Sequence, residues 1–145
     1  MKATIHSKIE SLFFMAWAVS VIATVGSLFF SEIMLFIPCE LCWYQRIFMY
    51  PLALLMGIGL IKKEYEQLSL YVLPFSIIGG CISFYHYLIQ KVEFLASTSI
   101  SCGVVPCTGQ YINWFGFITI PFLALTAFTT ITILQFMILK IRKGQ

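Results

Sequence analysis

Long apolar runs set the pattern of the chain, near Leu12 to Phe30, Trp43 to Ile61, Leu70 to Ile89 and Asn113 to Leu139. Each is about 20 residues or more, the length at which a helix crosses a hydrocarbon core of roughly 30 Å. The pattern predicts an all-α fold, a polytopic four-helix membrane bundle that makes a single domain of residues 1–145. The first run exceeds the apolar region of a signal peptide and no A-x-A-like cleavage site follows it, so it reads as a span. Ser20, Thr24, Gly26 and Ser27 give that span small residues of the kind that let membrane helices approach, and it reads as scaffold. The hydrophobic connector Ile33 to Ile37 is expected to lie on the bilayer. Pro38 suits a helix start, Pro51 predicts a kink in the second span, and Pro121 bends or starts the buried part of the fourth.

Composition removes the soluble alternative. Of the 145 residues 60% are hydrophobic and 10% charged, where a soluble domain has about a quarter charged. The placement of the charges then gives an orientation. Lys2 and Lys8 precede the first span, Lys62 and Lys63 separate the second and third, and Lys140, Arg142 and Lys143 follow the fourth, with only Lys91 on the other side. Basic residues are retained in the cytoplasm, so both termini are predicted to be cytoplasmic. Cys39, Cys42, Cys102 and Cys107 then face outward, where disulfides persist. The net charge of +3 is topology signal that sits beside anionic lipid, and no nucleic acid is needed to explain it. Trp43, Tyr44, Tyr85, Tyr87, Tyr111 and Trp114 fall near one interface and suit an aromatic belt.

The chemistry centres on Pro38-Cys39-Glu40-Leu41-Cys42-Trp43-Tyr44-Gln45-Arg46, at the mouth of the second span. A CxxC pair across the first turn of a helix can close into a disulfide, and the helix dipole favours a thiolate there. Arg46 lies one turn beyond Cys42 and its permanent charge favours the Cys42 thiolate. An arginine at that depth is costly in a membrane; the plainer account is that it snorkels to the interface. His86 stands at a comparable depth on the third span, so that the two can face each other; as a lone histidine it suits packing as well as proton handling. Cys81, in mid-span, reads as a small hydrophobe.

The outer loop from Lys91 to Ile112 carries the second pair, Cys102 and Cys107, among the turn formers Gly103, Pro106 and Gly109. Three readings of the outer cysteines stand side by side: structural disulfides, a four-cysteine zinc site and a dithiol relay. There is no Walker loop, no Ser-His-Asp set and no CxxCH haem motif. A relay needs an electron sink, and a lipid-soluble quinone near Cys42 and Arg46 would supply one.

The arrangement Cys39-x-x-Cys42-x-Tyr44-x-Arg46 at the start of the second span resembles the DsbB family of disulfide bond formation proteins. The likeness covers nearly the whole chain and includes His86 before Leu88-Ile89-Gln90 and the segment Trp114-Phe115-Gly116. The compact Cys102-Gly103-Val104-Val105-Pro106-Cys107 loop is most similar to the BdbC-type, Gram-positive branch. The resemblance implies a bacterial membrane thiol:disulfide oxidoreductase that reoxidises an extracytoplasmic thioredoxin-like thiol oxidase, of the DsbA or BdbD type, and delivers the electrons to menaquinone or ubiquinone. By motif position Cys102 would meet the partner, Cys107 would resolve that mixed disulfide and attack Cys39, and Cys42 would be left facing quinone. Arg46 and His86 would border the quinone, and no resident metal is implied. The short spacing from Cys102 to Cys107 departs from the longer loop of Gram-negative members. Reductant exporters place redox cysteines within spans, and here only Cys81 is so placed, which argues against export.

Overall fold

The computed structural model describes residues 2–92, 94, 107, 112, 113 and 115–144. Cys102, Tyr111 and Trp114 lie outside the described residues. Four long helices account for most of the rest: α1 (Lys2–Leu28), α2 (Glu40–Lys62), α3 (Tyr65–Lys91) and α4 (Ile120–Lys143). All are long and apolar enough to cross a membrane. No strand occurs among the described residues.

Local chemistry fixes where the helices begin and end. α1 runs into a π-helical turn, Phe29–Ile33, before the chain leaves the helix. Leu35 then takes φ 55°, and Ile33, Leu35 and Ile37 are all exposed, so the connector keeps its apolar character on the surface. Pro38 leads into Cys39, the extended N-cap of α2, and Glu40 places an acid in the first turn, where the helix dipole favours it. At the other end Lys63 adopts the left-handed conformation and its N–H bonds back to Gly59, which stops α2 two residues before α3 starts. Thr119 is the extended N-cap of α4 and Pro121 falls within its first turn, where a missing N–H costs nothing.

These boundaries refine the spans read from the sequence. α1 starts ten residues earlier than Leu12, because Lys2 to Ser11 continues the helix beyond its most apolar part. The described residues between Ile112 and Thr119 are not helical, so α4 begins at Ile120 and not at Asn113. Pro121 starts that helix. Pro51 and Pro74 lie inside α2 and α3, each accommodated within an unbroken helix.

Sequential helices are neighbours, and α1 also packs on α4, so the bundle closes as a ring. The two-residue connection between α2 and α3 makes those helices antiparallel. Phe13, Leu52, Met56, Val72, Phe128, Ile131 and Ile138 form its centre. Gly79 lets α3 and α4 touch, since a Cβ there would fall inside the Phe128 ring. The buried serines of α3 are satisfied within the bundle: Ser69 and Ser83 donate to carbonyls of their own helix, and Thr132 on α4 donates to Ser76 on α3 at 3.0 Å. At the Lys-rich end Arg142 pairs with Glu66 at 3.1 Å, tying the end of α4 to the start of α3. Cys39, Cys42, His86 and Cys107 gather at the opposite end.

Candidate functional site: a dithiol between a buried histidine and an apolar cleft

The first turn of α2 carries the site. Cys39 is the N-cap and Cys42 lies one turn further on, which brings their Sγ atoms to 2.9 Å; both are free thiols. The two sulfurs are thus close to the separation of a disulfide, about 2.05 Å. Helix periodicity then sends the next two polar residues in different directions. Gln45 faces α3 and Arg46 faces α1.

On the α3 side His86 is buried, 1% exposed, and Gln45 is 6% exposed. Gln45 Nε2 lies 3.0 Å from His86 Nδ1. An amide nitrogen only donates, so Nδ1 accepts and the neutral ring carries its proton on Nε2. That Nε2 faces two groups, Cys39 Sγ at 3.6 Å and the carbonyl oxygen of Cys107 at 3.3 Å. Gln90, one turn beyond His86 on the same face of α3, donates from Nε2 to the same carbonyl at 3.4 Å. Cys107 itself is engaged in a disulfide. The histidine thus joins the loop cysteine to the helix cysteine.

Cys39 precedes the span and its thiol is held well below the ordinary range. The hydrogen bond from the Cys42 thiol is the main cause and the nearby His86 adds to it, against the opposing effect of burial. The helix N-terminus acts in the same direction. In the reduced pair the thiolate accordingly rests on Cys39, with Cys42 as donor.

Arg46 turns away from His86, and no hydrogen bond joins the two among the described residues. Its Nε donates to Ser27 Oγ at 2.9 Å and Nη2 donates to the Ser27 carbonyl at 3.1 Å. Its guanidinium carbon stands 5.5 Å from the centre of the Trp43 ring. These contacts fix the charge at the rim of a cleft of about 490 Å³ between α1, the start of α2 and α4. Ala23, Gly26, Phe30 and Ile37 line one wall and Leu123, Ala127 and Phe128 the other, with Cys42, Gln45 and Arg46 between them. α3 contributes nothing to this lining, and His86 is not part of it. The volume and the apolar walls with a few polar groups suit a small, mostly apolar ligand.

Sequence reasoning missed Gln45, Gln90 and Ser27. Gln45 and Gln90 had a readable signal, since a buried amide in a span needs a partner and Gln90 follows His86 by one turn. Ser27 was noted only as a small packing residue. The engagement of Cys107 in a disulfide also takes its sulfur out of any four-cysteine zinc set. Cys81 is exposed on the outside of the bundle, away from this site.

Comparison with known proteins gives the family. The family model described as disulfide bond formation protein DsbB matches residues 9–138. The chain is 59% identical over 135 residues to probable disulfide formation protein C 1 of Bacillus anthracis, covering 93% of this chain and 96% of that one. It is 58% identical over 118 residues to disulfide bond formation protein C of Bacillus subtilis, covering 81% and 85%. With probable disulfide formation protein C of Halalkalibacterium halodurans the identity is 54% over 133 residues, covering 92% and 96%. No solved structure matches significantly. The chain therefore belongs to the DsbB family of disulfide bond formation proteins.

Proposed function

We propose that this protein is a bacterial membrane thiol:disulfide oxidoreductase that reoxidises an extracytoplasmic thioredoxin-like thiol oxidase and delivers the electrons to a membrane quinone. One observation carries the reading: His86 Nε2 stands between Cys39 Sγ and the Cys107 carbonyl, while Cys42 lines the apolar cleft. A dithiol with a second disulfide on one side and an apolar cavity on the other has a place to receive electrons and a place to send them. The one-sided lysines and arginines support an outward-facing site and cytoplasmic termini.

The exchange runs as follows. The reduced partner attacks the loop disulfide, with Cys102 forming the mixed disulfide by motif position; the partner's second thiolate then closes its own disulfide and frees Cys102 and Cys107 as thiols. The Cys107 thiolate attacks Cys39 of the Cys39–Cys42 disulfide, which releases Cys42 as a thiolate toward the cleft. Cys102 next attacks Cys107, restoring the loop disulfide and expelling Cys39. A leaving thiol of lowered pKa departs faster, and the environment of Cys39 provides that. His86 can donate from Nε2 to the departing sulfur. A bound quinone would accept the two electrons released when Cys39 and Cys42 re-form their disulfide, taking one proton from the Cys42 thiol and one from solvent. Arg46 would hold positive charge beside the developing anion, and the apolar walls would exclude water.

The test is quinone reduction by the purified chain in detergent, supplied with a reduced thioredoxin-like oxidase. Turnover with menaquinone or ubiquinone analogues is expected in the wild type and none in Cys42→Ser, while Arg46→Ala weakens quinone affinity. Absence of turnover in folded wild-type protein with a competent partner, or turnover that survives Cys42→Ser, would overturn the relay.

A further inference from the structure

We propose that the reduced Cys39–Cys42 dithiol and His86 form a site for a soft divalent metal ion, zinc or cadmium, and that the bound ion arrests the enzyme by holding the dithiol open. The placement of the site follows from geometry alone, whereas the arrest rests on the relay proposed above.

Cys39 Sγ, Cys42 Sγ and a ring nitrogen of His86 all lie within 4.8 Å of one another. Tetrahedral zinc has bonds of about 2.3 Å to sulfur and about 2.0–2.1 Å to nitrogen, so a sulfur and a nitrogen sharing the ion stand about 3.5–3.6 Å apart. Cys39 Sγ and His86 Nε2 are 3.6 Å apart. Two sulfurs on one ion stand about 3.8 Å apart. The Sγ atoms are at 2.9 Å, so a modest side-chain rotation on the first turn of α2 seats them both. The Cys107 carbonyl oxygen, 3.3 Å from Nε2, is at the spacing of a fourth vertex.

The outer contacts fit as well. Metal binding requires the other histidine tautomer: the Gln45 amide, whose Nε2 lies 3.0 Å from Nδ1, turns over so that Oε1 accepts from Nδ1–H and the Nε2 lone pair of His86 faces the sulfurs. A hydrogen bond of this kind on the remote ring nitrogen is what orients metal-bound histidines. Two thiolates neutralise a divalent ion, so the buried complex carries no net charge. Arg46, the cation on the same turn, is tied to Ser27 on the other side of the helix and does not oppose it. Binding moves no electrons: the Cys42 thiol gives its proton to solvent, Cys39 binds as the thiolate it already is, and two sulfur–metal bonds form. Only the reduced pair can bind, and disulfide closure requires the ion to leave.

The decisive experiment uses the full chain carrying Cys102→Ser and Cys107→Ser, which leaves Cys39 and Cys42 as its only thiols outside mid-span Cys81. After phosphine reduction and desalting, cadmium is titrated and thiolate-to-cadmium absorption is followed. One ion per chain is expected, with competition by zinc, none in the disulfide form, and at least tenfold weaker binding in His86→Ala. The cadmium-113 shift of the unaltered histidine protein reports nitrogen coordination without relying on the folding of that variant. Absence of binding by the folded, reduced protein, a shift showing sulfur ligands alone, or binding that requires Cys102 and Cys107 would overturn the site. In the wild type, zinc should stop turnover and a chelator should restore it; turnover indifferent to saturating zinc would overturn the arrest. Because cadmium binding is read without quinone or partner, loss of the site and loss of the relay are told apart.

Discussion

Ser27→Ala separates the charge of Arg46 from the placing of that charge. The hydroxyl accepts from Arg46 Nε at 2.9 Å, and its removal leaves the Nη2 bond to the Ser27 carbonyl and the Trp43 face. A hydrogen bond to a charged group contributes about 1.5–3 kcal/mol. Here the pair is half-buried and water can take the vacated place, so the lower figure applies. At 1.4 kcal/mol per factor of ten this is about a tenfold loss. Alanine suits the interior of α1, and the variant should fold as the wild type does. Quinone titration at saturating reduced partner should then show KM raised about tenfold with kcat nearly unchanged, and Ser27→Thr should recover most of the loss by restoring a hydroxyl. An unchanged quinone KM in Ser27→Ala, alongside a raised one in Arg46→Ala, would show that the serine does not position the guanidinium. An equal loss in kcat/KM for the partner protein would point to general damage instead.

Two further outcomes follow from particular contacts. Gly79→Ala should destabilise the bundle by about 1–3 kcal/mol, since its Cβ would fall inside the Phe128 ring, whereas Gly80→Ala, whose Cβ would meet Phe128 Cβ at 3.6 Å, should be nearly neutral; denaturant unfolding in detergent checks the contrast. The reduction potential of Cys39–Cys42 should fall by about 30 mV per pH unit between the lowered Cys39 pKa and the ordinary thiol value near 8.5, because reduction there takes up one proton and not two. Relative to an ordinary dithiol the pair becomes more oxidising as pH rises through that window, and the advantage disappears as pH falls through the Cys39 pKa. A slope near 59 mV per unit from pH 6 to 8 would place both protons on the reduced pair.

Helix number and the position of the CxxC were legible in the sequence because they depend on local properties: run length, the proline before Cys39, and Pro121 at the first turn of α4. The facing of each helix was not. In a soluble bundle a polar stripe marks the outer face, but here lipid-facing Ile22, Leu54 and Ile61 are as apolar as buried Leu52 and Ile131. The rotation of α2 therefore had no hydrophobic signature, and Arg46 was expected opposite His86. Only the packing shows that Gln45 takes that position and that Arg46 reaches Ser27. The sequence reading started α4 early for a related reason, since the residues before Ile120 continue the apolar composition while the described ones among them, Asn113 and residues 115–119, are not helical.

The two sides of α2 draw on separate parts of the chain. α1 and α4 shape the cleft, and α3 with the Cys107 carbonyl holds the thiols. If the cleft takes the acceptor and the Cys107 loop meets the partner, as proposed, substitutions at Ala23, Gly26, Leu123 or Ala127 would alter which acceptor fits without touching a residue that holds Cys39, and changes near Gln90 would act on the partner side without reshaping the cavity. On the proposed relay, acceptor preference and client preference would be separately inheritable traits, and one bundle would be transferable between membranes that carry different lipid-soluble oxidants.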